Sequence, residues 1–144
     1  MEEQCNIHSL ICDVAVLVEG SVLLVRYADL EKYDGEGGWF LPDDVLRFLE
    51  HPTRAAQRIA QEQLGLELDR VSLGLLESFR GNDGTWHMSF HHKTELPVRP
   101  DLSLAADVAV AEWFPLDGLP PRAEVAHHGW ALTVLKRMVE APAP

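Results

Sequence analysis

The chain is short of cysteine, of basic residues and of long apolar runs, and each shortage removes a class of protein. Two cysteines, Cys5 and Cys12, occur in 144 residues. They fit no paired metal or redox spacing and are too few for a disulfide framework, so a reducing, cytoplasmic setting is expected. Lysine and arginine number 12 against 23 aspartates and glutamates, for a net charge of −11. Phosphate backbones and anionic membrane surfaces require basic faces, so neither a nucleic-acid duplex nor a membrane is an expected partner. A small phosphate ligand held by a few arginines stays compatible. No apolar run approaches the ~18 residues of a membrane span. Residues 1–8 are polar and include Glu2 and Glu3, which does not fit a secretory leader. No internal repeat or low-complexity linker divides the chain. Its length suits one domain, 1–144, with 1–8 and 141–144 expected to be loose.

What is present switches between a two-residue and a helical period. Residues 13–18 and 21–27 are apolar, β-branched runs joined at Glu19-Gly20, which predicts a hairpin buried on both faces. Residues 28–38 are acidic and glycine-rich and read as a flexible loop before a strand at Trp39. Residues 71–79 and 85–96 predict two strands around the turn Arg80-Gly81-Asn82-Asp83-Gly84. A loop over 97–107, a strand over 108–114 and a proline-rich connection over 115–124 follow. An amphipathic helix over 127–140 closes the chain, with His127-His128 expected to be a solvated or capping pair. In 85–96 the two-residue period puts Trp86, Met88, Phe90, His92 and Thr94 on one face, and His87, Ser89, His91, Lys93 and Glu95 on the other. His87 and His91 would stand ~13 Å apart, too far for tight shared ligation, and zinc needs more ligands than these.

The most informative stretch is 41–66. Pro52 suits the first turn of a helix. Ala55, Ala56, Ile59, Ala60 and Leu64 form an apolar stripe, and Gly65-Leu66 is a helix stop. Arg58, Ile59, Glu62 and Gln63 crowd one side of that helix, and Glu50 precedes Arg58 by eight residues. Asp43-Asp44 reads as a turn.

This spacing resembles the Nudix box, the loop–helix–loop signature of the Nudix hydrolase superfamily. That pattern runs Gly, five residues, Glu, seven residues, Arg-Glu, an aliphatic, any residue, Glu-Glu, any residue, Gly, an aliphatic. Glu50, Arg58, Glu62, Gly65 and Leu66 match it. Asp44 replaces the first glycine, and Ile59 and Gln63 replace two of the three helix glutamates. Trp39-Phe40-Leu41-Pro42 is similar to the family's lead-in strand, and 112–120 to its late strand and turn. The resemblance implies an α+β fold, a Nudix-type α/β/α sandwich with a mixed sheet between flanking helices. It implies a Mg²⁺- or Mn²⁺-dependent pyrophosphohydrolase of nucleoside diphosphates linked to another moiety, with Glu50, Arg58 and Glu62 in the catalytic set.

In such chemistry Mg²⁺ takes clustered carboxylate oxygens and water becomes the nucleophile. Here Glu62 is the metal-ligand candidate, with Gln63 able to add a neutral oxygen. Hydrolysis should then be weak or absent, and a nucleotide-binding or interaction module is the alternative. Ile59 also reads as a widening of the core stripe, and Glu62 and Gln63 as ordinary solvated helix residues. Asp43, Asp44, Glu77 and Glu95 are residues that could complete a depleted site. Tyr27, Trp39, Phe40, Trp86 and Phe90 are candidates for a stacking wall or for core, with Arg26 or Arg80 near phosphate. A homodimer is left open.

Overall fold

The computed structural model describes residues 9–31, 35 and 37–139. Cys5, Glu36, Glu140 and the ends 1–8 and 141–144 lie outside them. A six-stranded mixed sheet is built around β1, Ser9–Val18. On one side β1 pairs in parallel with β5, Trp86–Glu95, from Ser9↔His87 to Leu17↔Glu95. β5 pairs antiparallel with the edge strand β4, Ser72–Arg80. On its other side β1 meets β2, Ser21–Tyr27, at Leu17↔Val22 and Val18↔Ser21 across the tight turn Glu19-Gly20. β2 continues antiparallel to β6, Val108–Pro115.

Beyond that turn β1 and β2 diverge, and residues 39–45 wedge between them. Phe40 exchanges backbone hydrogen bonds with Val25, and the Val14 N–H donates to the Pro42 carbonyl. The wedge ends in a short strand, β3, Asp43–Val45, antiparallel to Ile11–Asp13. Asp43-Asp44 therefore forms no turn: both residues are in a ladder, because β1 extends four residues earlier than its apolar run suggests. Trp39, expected to open a strand, makes only isolated bridging pairs with its neighbour Phe40, to Val125 and Val25 respectively.

Alternate residues of the sheet feed two cores. Cys12, Val14, Val16, Leu23 and Val25 pack under helix α1, Pro52–Leu64, against Ala55, Ala56, Ile59, Ala60 and Leu64. Ala15, Leu17, Val22, Leu24 and Trp39 pack under helix α2, Ala126–Val139, against Ala131, Val134, Leu135 and Met138. The result is an α/β/α sandwich. No helix among the described residues is long and apolar enough to cross a membrane.

The ends of both helices are set by local chemistry. The His51 ring accepts from the Thr53 N–H at the start of α1, and Pro52 occupies its first turn. Gly65 ends α1 in the left-handed region at φ 69°, which a side chain would resist and where a Cβ would press on Ser103 at 2.8 Å. α2 differs from the simple amphipathic helix its sequence predicts. His127, His128 and Gly129 are all left-handed, at φ 53°, 57° and 82°, so regular helix begins at Trp130. Arg122 holds this turn by donating from Nη1 to the His128 carbonyl at 2.8 Å.

Candidate functional site

Arg58 organises the edge of α1. Its Nε donates to Glu50 Oε2 at 2.8 Å and its Nη2 to Glu50 Oε1 at 3.0 Å, a two-pronged bond from helix to loop. Nη2 also reaches the Val45 carbonyl at 3.0 Å, and Nη1 lies 3.4 Å from both Asp44 and Glu62. The Arg58 guanidinium holds the Glu50 carboxyl below its ordinary value, outweighing the opposing effect of partial burial. Glu50 turns back on the loop, accepting from the Arg47 N–H at 3.0 Å. Arg47 in turn donates to Glu62 Oε1 at 2.8 Å. Asp44, Glu50 and Glu62 thus all face guanidinium groups.

The two departures from the box have clear places. Ile59, 1% exposed, belongs to the α1-side core and does not border the Glu62 edge. Gln63 is also buried and uses both ends of its amide. Its Oε1 accepts from the Tyr27 hydroxyl at 2.8 Å, and its Nε2 donates to the Asp43 carbonyl at 2.8 Å. Tyr27 completes the link by accepting from the Asp43 N–H at 2.9 Å. A glutamate at 63 could not donate to that carbonyl, so glutamine pins β3 onto α1. These donors do not fit Mg²⁺ as they stand, since a hard ion needs several oxygens converging near octahedral geometry. Among the described residues no three acidic, histidine or cysteine side chains converge for a metal.

A cavity of about 300 Å³ lies on the opposite face of the sheet, between the strands and the start of α2. Ile11, His87 and Ser89 line its sheet side, Phe40, His127 and Trp130 its other side, and Arg80 its hairpin end. Asp43 and Asp44 also line it, and Asp44 joins it to the Arg58 edge. His127, expected to be a solvated or capping residue, packs edge-on against Phe40 at 5.8 Å between ring centres and lines this cavity with it. The left-handed turn puts it there, and nothing in the periodicity of 127–140 signals that turn. Arg26 and Trp39 do not line the cavity. Arg26 stacks over the Trp39 ring at 4.5 Å, and Trp39 packs edge-on to Phe114 in the α2-side core.

Beside the cavity is a buried network that sequence reading missed. His91 Nδ1 is 2.8 Å from Asp13 Oδ2, and Nε2 is 2.7 Å from Glu77 Oε1. Trp130 covers His91 at 5.0 Å between rings, and Arg137 of α2 reaches Glu77 at 3.3 Å. Burial alone would lower the His91 pKa, but Asp13 and Glu77 together raise it. Burial pushes the Asp13 carboxyl up, against the pull of His91. The available signal was the alternation that puts Ser89 and His91 on one face of β5. On the α1 face, Cys12 lies 3.5 Å from His92 Nδ1, and burial, the largest influence, pushes its thiol far up. It is no nucleophile at neutral pH.

The fold and this paired edge and cavity define an α/β/α domain with a box-type loop and helix. The family model of the NUDIX domain matches residues 11–134. The chain belongs to the Nudix family. A MutT NUDIX hydrolase from Burkholderia pseudomallei superposes with a TM-score of 0.75 at 23% identity, over 95% of this chain and 99% of that one. The NUDIX domain of Shewanella oneidensis NrtR, solved in complex with ADP ribose, gives 0.68 at 15% identity, over 96% and 90%. The E. coli dihydroneopterin triphosphate pyrophosphohydrolase gives 0.72 at 12% identity, over 94% and 100%. At these identities the likeness is one of fold. No curated protein sequence matches the chain.

Proposed function

We propose that this Nudix domain binds a nucleoside diphosphate derivative and hydrolyses it slowly or not at all with Mg²⁺ or Mn²⁺. One observation carries the reading: the α1 edge is bonded to itself. Ile59 is in the core, Gln63 is occupied at both ends, and Glu62 is shared by Arg47 and Arg58. Freeing Glu62 for a cation would break two ion pairs, and the neighbouring carboxylates Asp44 and Glu50 are themselves held by Arg58, whereas hard-ion affinity follows the number and charge of free oxygen ligands. The aromatic-walled cavity supports a binding role independently of that edge. In this reading the organic end of the ligand enters between the sheet and Trp130, and Arg80 at the hairpin end meets phosphate. The ADP-ribose complex of the similar NrtR domain supports the ligand class.

The test pairs calorimetry with product analysis, using ADP-ribose, NADH and nucleoside triphosphates. Saturable binding of at least one compound, weakened by Arg80→Ala, with turnover at or near background in Mg²⁺, is the expected result. Rapid wild-type turnover abolished by Glu62→Gln would overturn the reading. It would mean that the carboxylates rearrange around a metal.

A further inference from the structure

Ser89 is 1% exposed, and its Oγ has no hydrogen-bond partner among the described residues, yet it lines the cavity. Buried hydroxyls without partners are uncommon in folded proteins, and each calls for a reason. Asp13, paired with the next residue of β5 on the same face, is equally buried, and its Oδ1 is likewise unpartnered among the described residues. Ser89 is the one of the two that lines the cavity, and Asp13 follows at the next same-face position of the sheet, opposite His91.

The surroundings restrict what could use them. Phe40 and Trp130 contribute aromatic surface to the lining, which suits a planar ring. Asp43 and Asp44 line the cavity, and Asp13 and Glu77 flank it in the sheet. An anionic group placed there would meet carboxylates, whereas an N–H edge would meet acceptors. Arg80, at the hairpin end, keeps the cation apart from this acidic floor.

We propose that Ser89 is the specificity-determining residue of the cavity, its hydroxyl accepting a hydrogen bond from the amino-bearing edge of an uncharged heteroaromatic ring. The proposal rests on the reading of the cavity as the site for the organic end of a nucleotide derivative. A site built to pair with a polar edge discriminates against the analogue that lacks it, because the buried partner is then left unpaired.

The test uses phosphate-free nucleosides in matched pairs: adenosine against purine riboside, guanosine against inosine, cytidine against 2-pyrimidinone riboside. Each is titrated into the isotope-labelled full chain while the Trp130 indole and the Ile11 and Ser89 amides are followed by NMR. At least one amino-bearing member should shift these signals and bind about tenfold more tightly than its partner, the effect of one net hydrogen bond. In Ser89→Ala that preference should fall to about twofold or less, with affinity for the partner lacking the amine unchanged. Ser89→Ala removes an unpartnered polar atom, so its melting temperature should hold or rise, which separates lost recognition from lost folding. A preference that persists in Ser89→Ala, no preference in the wild type, or no response at these residues overturns the proposal. These ligands carry no phosphate. Failure here leaves the nucleoside diphosphate reading to stand on ADP-ribose binding, and failure of ADP-ribose to bind leaves the nucleoside result intact.

Discussion

At the scale of single residues, Arg58 shows how one guanidinium can define a site's character. Its side chain and that of Glu50 are 11% and 15% exposed, so the pair is neither a solvated surface bridge nor a fully dry one. Such pairs contribute through geometry, and removing one partner leaves the other desolvated. Arg58→Ala should cost ~2–3 kcal/mol, or about 5–10 °C in melting temperature for a chain of this size. A calorimetric shift within error would mean that the loop is held by other contacts. Gln63 and Ile59 answer a different question, since restoring glutamate at both positions looks from the sequence like a repair. In the fold it is not one. Gln63→Glu replaces the amide that donates to Asp43 with an acceptor, and should cost ~1–3 kcal/mol. Ile59→Glu puts a carboxyl into the α1-side core and should cost more than ~3 kcal/mol. Denaturant titration of each single variant checks the order, and a stabilised Gln63→Glu would contradict the assignment of its amide.

At the scale of elements, what could be read in the sequence tracks how local the cause is. Pro52 at the start of α1 and Gly65 at its end act within one turn, and the helix spans the residues between them. The hairpin turn at Glu19-Gly20 is likewise local, and both residues are left-handed as such a turn requires. β3 was hidden because Asp43-Asp44 has turn chemistry, and only pairing with Ile11–Asp13, some thirty residues earlier, makes it a strand. The two-residue period puts His91 on the correct face of β5, but its partner Asp13 is 78 residues away and no spacing connects them. The start of α2 was hidden for a similar reason, since Arg122 outside the helix holds the left-handed turn. Gly129 tests that cause. A Cβ there would collide with the Arg122 side chain in a backbone region that disfavours it. Gly129→Ala should therefore cost ~1–3 kcal/mol and move the His127 and Trp130 signals at the cavity. A chemical-shift map confined to residue 129 and its neighbours would argue that the turn does not position the cavity wall.

At the scale of the whole molecule, the sheet separates two tasks. The α1 face and its edge hold the box together, and the α2 face encloses the cavity. The Asp13–His91–Glu77 network joins β1, β5 and β4, and its bond to Arg137 fastens α2 over them. Two hydrogen bonds through one imidazole require two protons, shared among the ring and its carboxylates. Because the folded chain holds the His91 proton more tightly than the ordinary value of 6.5, its contribution is complete below that pH. It is lost as pH rises through the raised folded value. The melting-temperature gap between the wild type and His91→Gln should therefore be widest near pH 6 and narrow towards pH 9. A gap constant across that range would mean that the network does not carry the extra proton.

The central proposal concerns the whole assembly of α1, its loop and β3: that this box edge, bonded to its own arginines and glutamine, does not gather a divalent ion. Titration with Mn²⁺, followed by paramagnetic broadening of amides along 50–65, tests this most directly. The account predicts no site-specific broadening at Glu62 below millimolar Mn²⁺, and no change in that result for Glu62→Gln. Saturable broadening centred on Glu62 at micromolar Mn²⁺, lost in Glu62→Gln, would contradict it.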